Sequence, residues 1–171
     1  VISYQNGRGI LERNHYLAHT NTAGAMLWKN CDVAISIGCR MQAERMSWGM
    51  DDALKIIHVD IDPTEINRIM KPDVGLVSDA AFTTRKIIDA LNKYNLKRTS
   101  REEEMLNLKA QAEKLMEEKA GPQMAWLRAI RDVLPDNGLF VDEFTQVGYV
   151  SRVGFPVYSP RSVSYTHLTL P

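Results

Sequence analysis

Three short runs in the first half of the chain are apolar at consecutive positions instead of alternating positions. They are VAISI at 33–37, KIIHVDI at 55–61 and VGLVS at 74–78. Such runs predict strands of a parallel sheet that is covered on both faces. Helical spacing of apolar residues precedes the first run, over 21–30, and follows the third, over 79–94. This rhythm predicts a parallel α/β sheet with right-handed crossovers.

Local signals predict two more elements in this half. Residues 1–4 are β-prone and lead into a glycine-containing turn over 5–10. Beyond the second run, Asp62 fits a helix N-cap, Pro63 the first helical residue and Glu65 the third. The sequence therefore predicts a strand at the start and a helix after residue 62.

The composition changes at 95–104, which is polar and charged and is typical of a linker. Ser100 and Glu103 fit a capping box for a helix over 101–119. A second helix is predicted over 122–135, after AGPQ, and a strand ending in carboxylates over 139–144. A second α/β domain is thus predicted to begin near residue 121.

Composition and charge argue against several partners. The 171 residues are 44% hydrophobic and 25% charged, with 21 basic and 21 acidic residues and no formal net charge. We therefore expect no nucleic-acid partner and no membrane association, since no basic surface and no apolar run of membrane-spanning length is indicated. Cys31 and Cys39 flank a predicted strand and are interpreted as reduced thiols of a cytoplasmic protein.

Polar residues follow each predicted strand, at the edge where open α/β sheets bind ligands. Gly38 would let a ligand approach the backbone, and Arg40 offers a planar fork for phosphate or, alternatively, pairs with a surface carboxylate. Asp60 can accept hydrogen bonds from ribose, whereas we expect Asp62 to be a cap. Asp79 either caps the next helix or faces a nucleoside. The sequence contains no P-loop, no GxGxxG and no metal-ligand spacing. These residues therefore predict an α/β domain of the nucleotide-binding kind, without an assigned cofactor.

Four motifs in order carry a resemblance to a known family. They are NGRGI (6–10), CDVAISIGCR (31–40), KIIHVDIDPTEIN (55–67) and DVGLVSDA (73–80). Together they resemble the central domain of thiamine-diphosphate-dependent enzymes, and the acetolactate synthase large subunits are the most similar group. Ser78 stands where a glycine is usual in the family. Residues 126–161 resemble the start of the family's C-terminal, diphosphate-binding domain.

The resemblance implies a domain order. Residues 1–94 would be a Rossmann-like central domain that lacks its N-terminal part, and 95–121 a linker and helix. Residues 122–161 would be the truncated start of the thiamine-diphosphate-binding domain. Residues 162–171 are expected to be a non-native tail, the alternative being a native end that forms a strand.

The resemblance also implies cofactor contacts. In flavin-containing members the central domain holds FAD, which would place Gly38 and Arg40 along the flavin nucleotide, Asp60 at a ribose and Asp79 near the adenosine end. Other members bind ADP or no nucleotide there. In the second domain, the residues expected near the diphosphate are Glu143, Thr145 and Gln146.

The implied activity is that of a carboligase or decarboxylase, a transferase or lyase that acts on 2-oxo acids with thiamine diphosphate and Mg²⁺. Such enzymes serve branched-chain amino acid biosynthesis and assemble as homodimers or tetramers. The family's catalytic glutamate and its GDG…N magnesium motif have no counterpart in this sequence, so no catalytic or metal residue is assigned and the chain alone is expected to be inactive. The alternatives are a standalone nucleotide-binding module for FAD or ADP and a non-catalytic scaffold for oligomer assembly.

Overall fold

The computed structural model describes residues 1–50, 52–94 and 98–165. The helices and strands are, in order, α1 (Asn21–Trp28), β1 (Val33–Ile37), β2 (Lys55–Asp60), β3 (Val74–Val77), α2 (Ala80–Leu91), α3 (Glu102–Val133), β4 (Phe140–Asp142), α4 (Gln146–Gly154) and β5 (Val163–Tyr165). A 3-10 turn at Gln5–Gly7 and a π-helical turn at Glu44–Trp48 accompany them.

The chain forms two compact units. One contains the described residues from Leu27 to Thr99, and the other joins residues 1–26 to the described residues from Ser100 onward. This division by compactness does not coincide with the predicted family domains, which were placed at 1–94 and 122–161. Those family limits stay predictions.

The unit from Leu27 to Thr99 contains a parallel sheet with the strand order β1-β2-β3. Ile35 pairs with Ile57 between β1 and β2, and Ile57 with Val74 between β2 and β3. All three predicted strands are present, α2 follows β3, and α1 precedes β1. The predicted α/β class and the parallel sheet are confirmed.

One face of this sheet is closed by an aromatic and aliphatic cluster. Trp28, Met41, Leu54 and Ile56 form its buried centre. The Trp28 indole stands edge-on to Trp48, with ring centroids 5.6 Å apart, and donates a 2.6 Å hydrogen bond to the Gly49 carbonyl. The buried indole N–H therefore has the partner that it needs.

The expectation that both faces of every strand are covered is wrong for β1. Val33, Ile35 and Ile37 point to one face by strand alternation, and they are 48%, 50% and 41% exposed. Val59, on the central strand β2, is completely buried. The difference follows from position, because β1 is the edge of the described sheet and only β2 has a strand on each side.

The predicted helix after residue 62 is also wrong, since residues 61–70 form turns. The Asp62 carboxylate accepts hydrogen bonds from the backbone N–H and the hydroxyl of Thr64, both at 2.8 Å, which satisfies a turn locally. Ile66 lies so close to Gly75 that a β-carbon there would be 2.6 Å from it. Packing of this loop on the sheet therefore outweighs the helix-start signals.

Two other local predictions need correction. The strand expected over 1–4 is reduced to a single bridge between Ile2 and His19. The capping box is not formed, because Ser100 accepts from the Glu102 N–H at 3.2 Å and α3 begins at Glu102. The two predicted helices are present as the halves of α3, which is interrupted by non-helical dihedral angles at Ala120.

In the other unit, β4, α4 and β5 form a strand–helix–strand arrangement with β4 and β5 parallel. Leu127 of α3 and Phe155 are almost fully buried at its centre, and the Phe155 ring stacks on Phe140 at 4.2 Å. This strand–helix–strand arrangement agrees with the α/β class, whereas the start of a second family domain near residue 121 stays a prediction. β5 lies in the segment 162–171, which was expected to be a non-native tail. The alternative, a native end, predicted a strand there. The origin of that segment stays a prediction, and residues 166–171 lie outside the described residues.

His19 is a buried histidine in this second unit, with 2% of its surface exposed. Neither ring nitrogen has a hydrogen-bond partner among the described residues. Burial is the main cause that lowers the pKa of His19 to about 4, and the N-terminal ammonium group acts in the same direction. The positive charges of Lys109 and Arg13 add to this effect, so the ring is held neutral.

We expect the free energy of unfolding to fall as the pH decreases from about 6.5 to about 4, because the unfolded chain binds a proton at His19 in this window and the folded chain does not. His19→Gln should remove this part of the pH dependence, whereas His15→Gln should keep it. Urea unfolding at pH 4.5, 5.5 and 7 measures the difference. Equal pH profiles for the wild-type chain and His19→Gln would contradict the assignment.

Candidate functional site

The carboxyl ends of β1 and β2 lie side by side, as the parallel pairing requires. Ile37 is opposite Val59, so Gly38 follows β1 next to the end of β2. Gly38 has a φ of +61°, which favours glycine, and donates to the Val59 carbonyl at 2.8 Å. No atom of the described chain lies within 4 Å of the position that a β-carbon would take. The strand end is therefore open to an approaching ligand.

Arg40 uses its planar fork within the protein. Its Nε and Nη2 atoms donate to the two carboxylate oxygens of Glu65 at 2.7 and 2.9 Å. The Glu65 side chain is only 8% exposed and also accepts from Arg68 at 2.6 Å. The hydrogen bond from Arg40 is the main cause that lowers the pKa of Glu65. The alternative of carboxylate pairing is thus what the structure shows, although with a buried carboxylate, and phosphate binding by Arg40 stays a prediction.

Asp60 and Asp62 have different environments. Asp60 is half-buried, and its Oδ1 accepts from the Asp62 N–H at 3.0 Å. Asp62 is exposed, and its hydrogen bonds with Thr64 lower its pKa. Asp62 therefore has a structural role in a turn and is not the helix cap that was expected, because no helix follows it, whereas ribose binding by Asp60 stays a prediction.

Asp79 is the N-cap of α2. Its Oδ1 accepts from the Phe82 N–H at 2.8 Å, which satisfies one of the free donors in the first helical turn. The capping alternative is therefore observed. A contact with the adenosine end of a nucleotide stays a prediction, and Asp79 is exposed enough for it.

A second candidate site lies at the start of α4, a helix that the sequence analysis did not predict. Thr145 is its N-cap and accepts from the Gly148 N–H at 2.9 Å. Glu143, Thr145 and Gln146 are all exposed. The side-chain oxygen Oε1 of Gln146 accepts from Gln123 Nε2 at 2.9 Å. This contact orients the amide and leaves its NH₂ group as a donor.

The start of α4 has backbone donors that an anion could use. Among the described residues, no acceptor faces the backbone N–H groups of Gln146 and Val147. These N–H groups and the positive end of the helix dipole favour an anion. A β-carbon on Gly148 would be 2.1 Å from the Glu143 carbonyl oxygen, so glycine is required for the tight turn. The carboxylate of Glu143 is the one candidate that an anion would not favour.

Sequence reasoning missed the residues that hold α4. Ser151, completely buried, donates to Asp142 Oδ2 at 2.7 Å, and Arg8 donates to the carbonyls of Ser151 and Phe155. The only signal was the Gly-Arg-Gly turn, since an arginine between glycines can bring its guanidinium close to another backbone.

The described residues contain no group of three or more His, Cys, Asp or Glu side chains that could hold a metal ion. In the same part of the chain, every helix is too short or too polar to cross a bilayer.

Comparison with known proteins places these features in a family. The model of the thiamine pyrophosphate enzyme central domain matches residues 1–91, more than half of the chain. A probable acetolactate synthase large subunit of Methanocaldococcus jannaschii is 34% identical over 100 residues, which are 53% of this chain and 17% of that protein. Its counterpart in Methanococcus aeolicus is 34% identical over 105 residues, 56% of this chain and 17% of the relative.

A glyoxylate carboligase of Escherichia coli O157:H7 is 42% identical over 61 residues, 34% of this chain and 10% of that protein. The chain thus spans about a sixth of the length of the archaeal relatives that it matches, 17% in each case. The parallel sheet, the motifs at its strand ends and the matched central domain agree: this chain belongs to the thiamine-diphosphate-dependent enzyme family and is acetolactate synthase-like.

Proposed function

We propose that this chain provides the central domain and the start of the diphosphate-binding domain of a carboligase or decarboxylase that acts on 2-oxo acids. The observation that carries the proposal is the start of α4, where unpaired backbone donors and a required glycine follow β4 in the same chain as the family's central domain. The names of the relatives, acetolactate synthase and glyoxylate carboligase, support the substrate class.

Each residue at the start of α4 has a role in this proposal. The backbone N–H groups of Gln146 and Val147 and the side-chain amide of Gln146 donate to diphosphate oxygens, while the Thr145 hydroxyl holds the turn through Gly148. Thiamine diphosphate, when bound, supplies the electron sink that decarboxylation of a 2-oxo acid needs. A cation bound with the diphosphate would offset the negative charge of Glu143. We include Mg²⁺ in the proposal on the family resemblance alone.

The central unit has a nucleotide role in the proposal, for FAD or ADP. Gly38 leaves the strand end open, Asp60 accepts from a ribose hydroxyl, and Asp79 meets the adenosine end while it caps α2. Arg40 pairs with Glu65 through Nε and Nη2, so its Nη1 donors face a phosphate in this proposal. A central unit that binds no nucleotide would also keep this ion pair, but the relatives do not favour a purely scaffolding protein.

We further propose a cytoplasmic protein, since Cys31 and Cys39 are both free thiols. A homodimer or tetramer and a place in branched-chain amino acid biosynthesis belong to the same proposal. We expect the 171-residue chain alone to show no turnover of pyruvate, because the family's catalytic glutamate and its GDG…N magnesium motif have no counterpart in this sequence. Acetolactate formation by the purified chain would contradict this.

The diphosphate site is tested by Gln146→Glu. A carboxylate in place of the amide should repel a diphosphate and weaken thiamine diphosphate binding at least about tenfold, while the free energy of unfolding is kept or raised, because acidic residues stabilise a helix N-terminus. Titration with thiamine diphosphate and Mg²⁺ by calorimetry or amide chemical shifts measures the binding. Gln111→Glu, on an exposed position of α3, is the matched control and should bind normally. Unchanged binding by Gln146→Glu would remove this residue from the site.

The nucleotide site is tested by Asp60→Asn, which keeps an acceptor for the Asp62 N–H and removes the charge. We expect FAD or ADP binding to weaken by about one order of magnitude, as for a lost charge-assisted hydrogen bond. Asp62→Asn is the control, because that side chain accepts only within its own turn. Fluorescence or calorimetric titration measures binding. If the wild-type chain binds neither nucleotide, the scaffold alternative is the better one.

A further inference from the structure

We propose that Arg8 is a positioning residue for the start of α4, although it lies at the other end of the helix and far away in sequence. The functional meaning rests on the proposed function, in which the turn from Glu143 to Gly148 binds a diphosphate. The structural part, that Arg8 sets the place and rigidity of that turn, stands on contacts within one compact unit.

Arg8 holds the last turn of α4. The guanidinium group is 4% exposed, and its Nη1 donates to the Ser151 carbonyl at 2.7 Å. Its Nη2 donates to the carbonyl of Phe155, the C-cap residue. A cation at this end of a helix is stabilised by the helix dipole. The Ser151 carbonyl accepts from Arg8 in addition to the Phe155 N–H, so α4 provides two acceptors for the buried charge.

Ser151 connects that end of the helix to the candidate diphosphate turn. Its carbonyl accepts from Arg8, and its one hydroxyl hydrogen is shared between Asp142 Oδ2 and the Gly148 carbonyl oxygen, each 2.7 Å from Oγ. Asp142 ends β4, directly before Glu143. Gly148 fits against the Glu143 carbonyl with no space for a side chain. A shift at Ser151 is therefore passed to the turn through short, buried hydrogen bonds.

The backbone at Arg8 is itself held firmly. Gly9 has a φ of +87°, and a β-carbon there would lie 2.2 Å from the Ser159 carbonyl oxygen. A little further along, the Arg13 N–H donates to the Val157 carbonyl at 2.9 Å. The Gly-Arg-Gly turn thus places its arginine against the segment that follows α4, so Arg8 acts from a fixed position.

Arg8 does not contact the ligand in this proposal. α4 has nine residues and is about 13 Å long, at about 1.5 Å per residue, so its two ends do not share one small ligand. Two carbonyl acceptors also favour arginine over lysine, because a guanidinium donates from two nitrogens in a fixed plane. The role is therefore to hold the helix, and a lysine should fulfil it only in part.

The test compares Arg8→Met, Arg8→Lys and the exposed control Arg85→Met. Amide hydrogen exchange reports the rigidity of the turn, and amide chemical shifts report binding of inorganic pyrophosphate. For Arg8→Met we expect at least about tenfold faster exchange at the hydrogen-bonded amides of residues 148–150, unchanged exchange at Leu127 in α3, and pyrophosphate binding weakened about tenfold. Arg8→Lys should fall between Arg8→Met and the wild-type chain, and Arg85→Met should match the wild type.

Unchanged exchange at residues 148–150 in Arg8→Met would overturn the positioning role. Equal acceleration at Leu127 would also overturn it, because Arg8 would then only stabilise the whole unit. If Arg8→Met does not fold, Arg8→Lys decides by the same two readouts. A wild-type chain that shows no shifts with pyrophosphate would contradict the proposed diphosphate site, whereas the exchange data would still decide the positioning role.

Discussion

Parallel backbone pairing of β1, β2 and β3 is the constraint on which the candidate nucleotide edge depends. In parallel strands all carboxyl ends lie at one edge, so residues that follow different strands become neighbours whatever their distance in sequence. The register that puts Ile37 opposite Val59 brings Gly38 to the end of β2, and the pairing of Asp60 with Val77 does the same for the end of β3. Any ligand role of Gly38, Asp60 or Asp79 requires this register.

Most polar residues at that edge already have structural partners. Arg40 binds Glu65, Asp62 closes a turn with Thr64, and Asp79 caps α2. These contacts have a physical reason, since a strand end exposes backbone donors and charged groups that need partners even without a ligand. A nucleotide could therefore bind beside these contacts without breaking them. Gly38 and Asp60 are the residues at which the strand ends stay open to it.

The start of α4 is organised differently. There the structural contacts leave the anion-binding groups available, because Thr145 caps the third N–H of the helix while the first two lack acceptors among the described residues. The position of α4 is fixed from its interior and its C-terminal end, by Ser151 and the buried guanidinium of Arg8. A helix held by its C-terminal end and its interior can present a rigid N-terminal end to a ligand.

Continuous apolar runs were sufficient to predict β1, β2 and β3, and the capping residue Asp79 with its spacing predicted α2, because these signals act over a few residues. The motifs at the strand ends also sufficed for the family. Only the tertiary structure decided the conformation of residues 62–65, which carry helix-start signals but form a turn. In the folded chain Ile66 packs on the sheet and Glu65 pairs with Arg40, and these contacts outweigh the local signals. The tertiary structure alone revealed Arg8, whose acceptors are more than 140 residues away. Local propensities depend on residues that are close in sequence, whereas a buried charge needs carbonyl acceptors that only the folded chain brings near it.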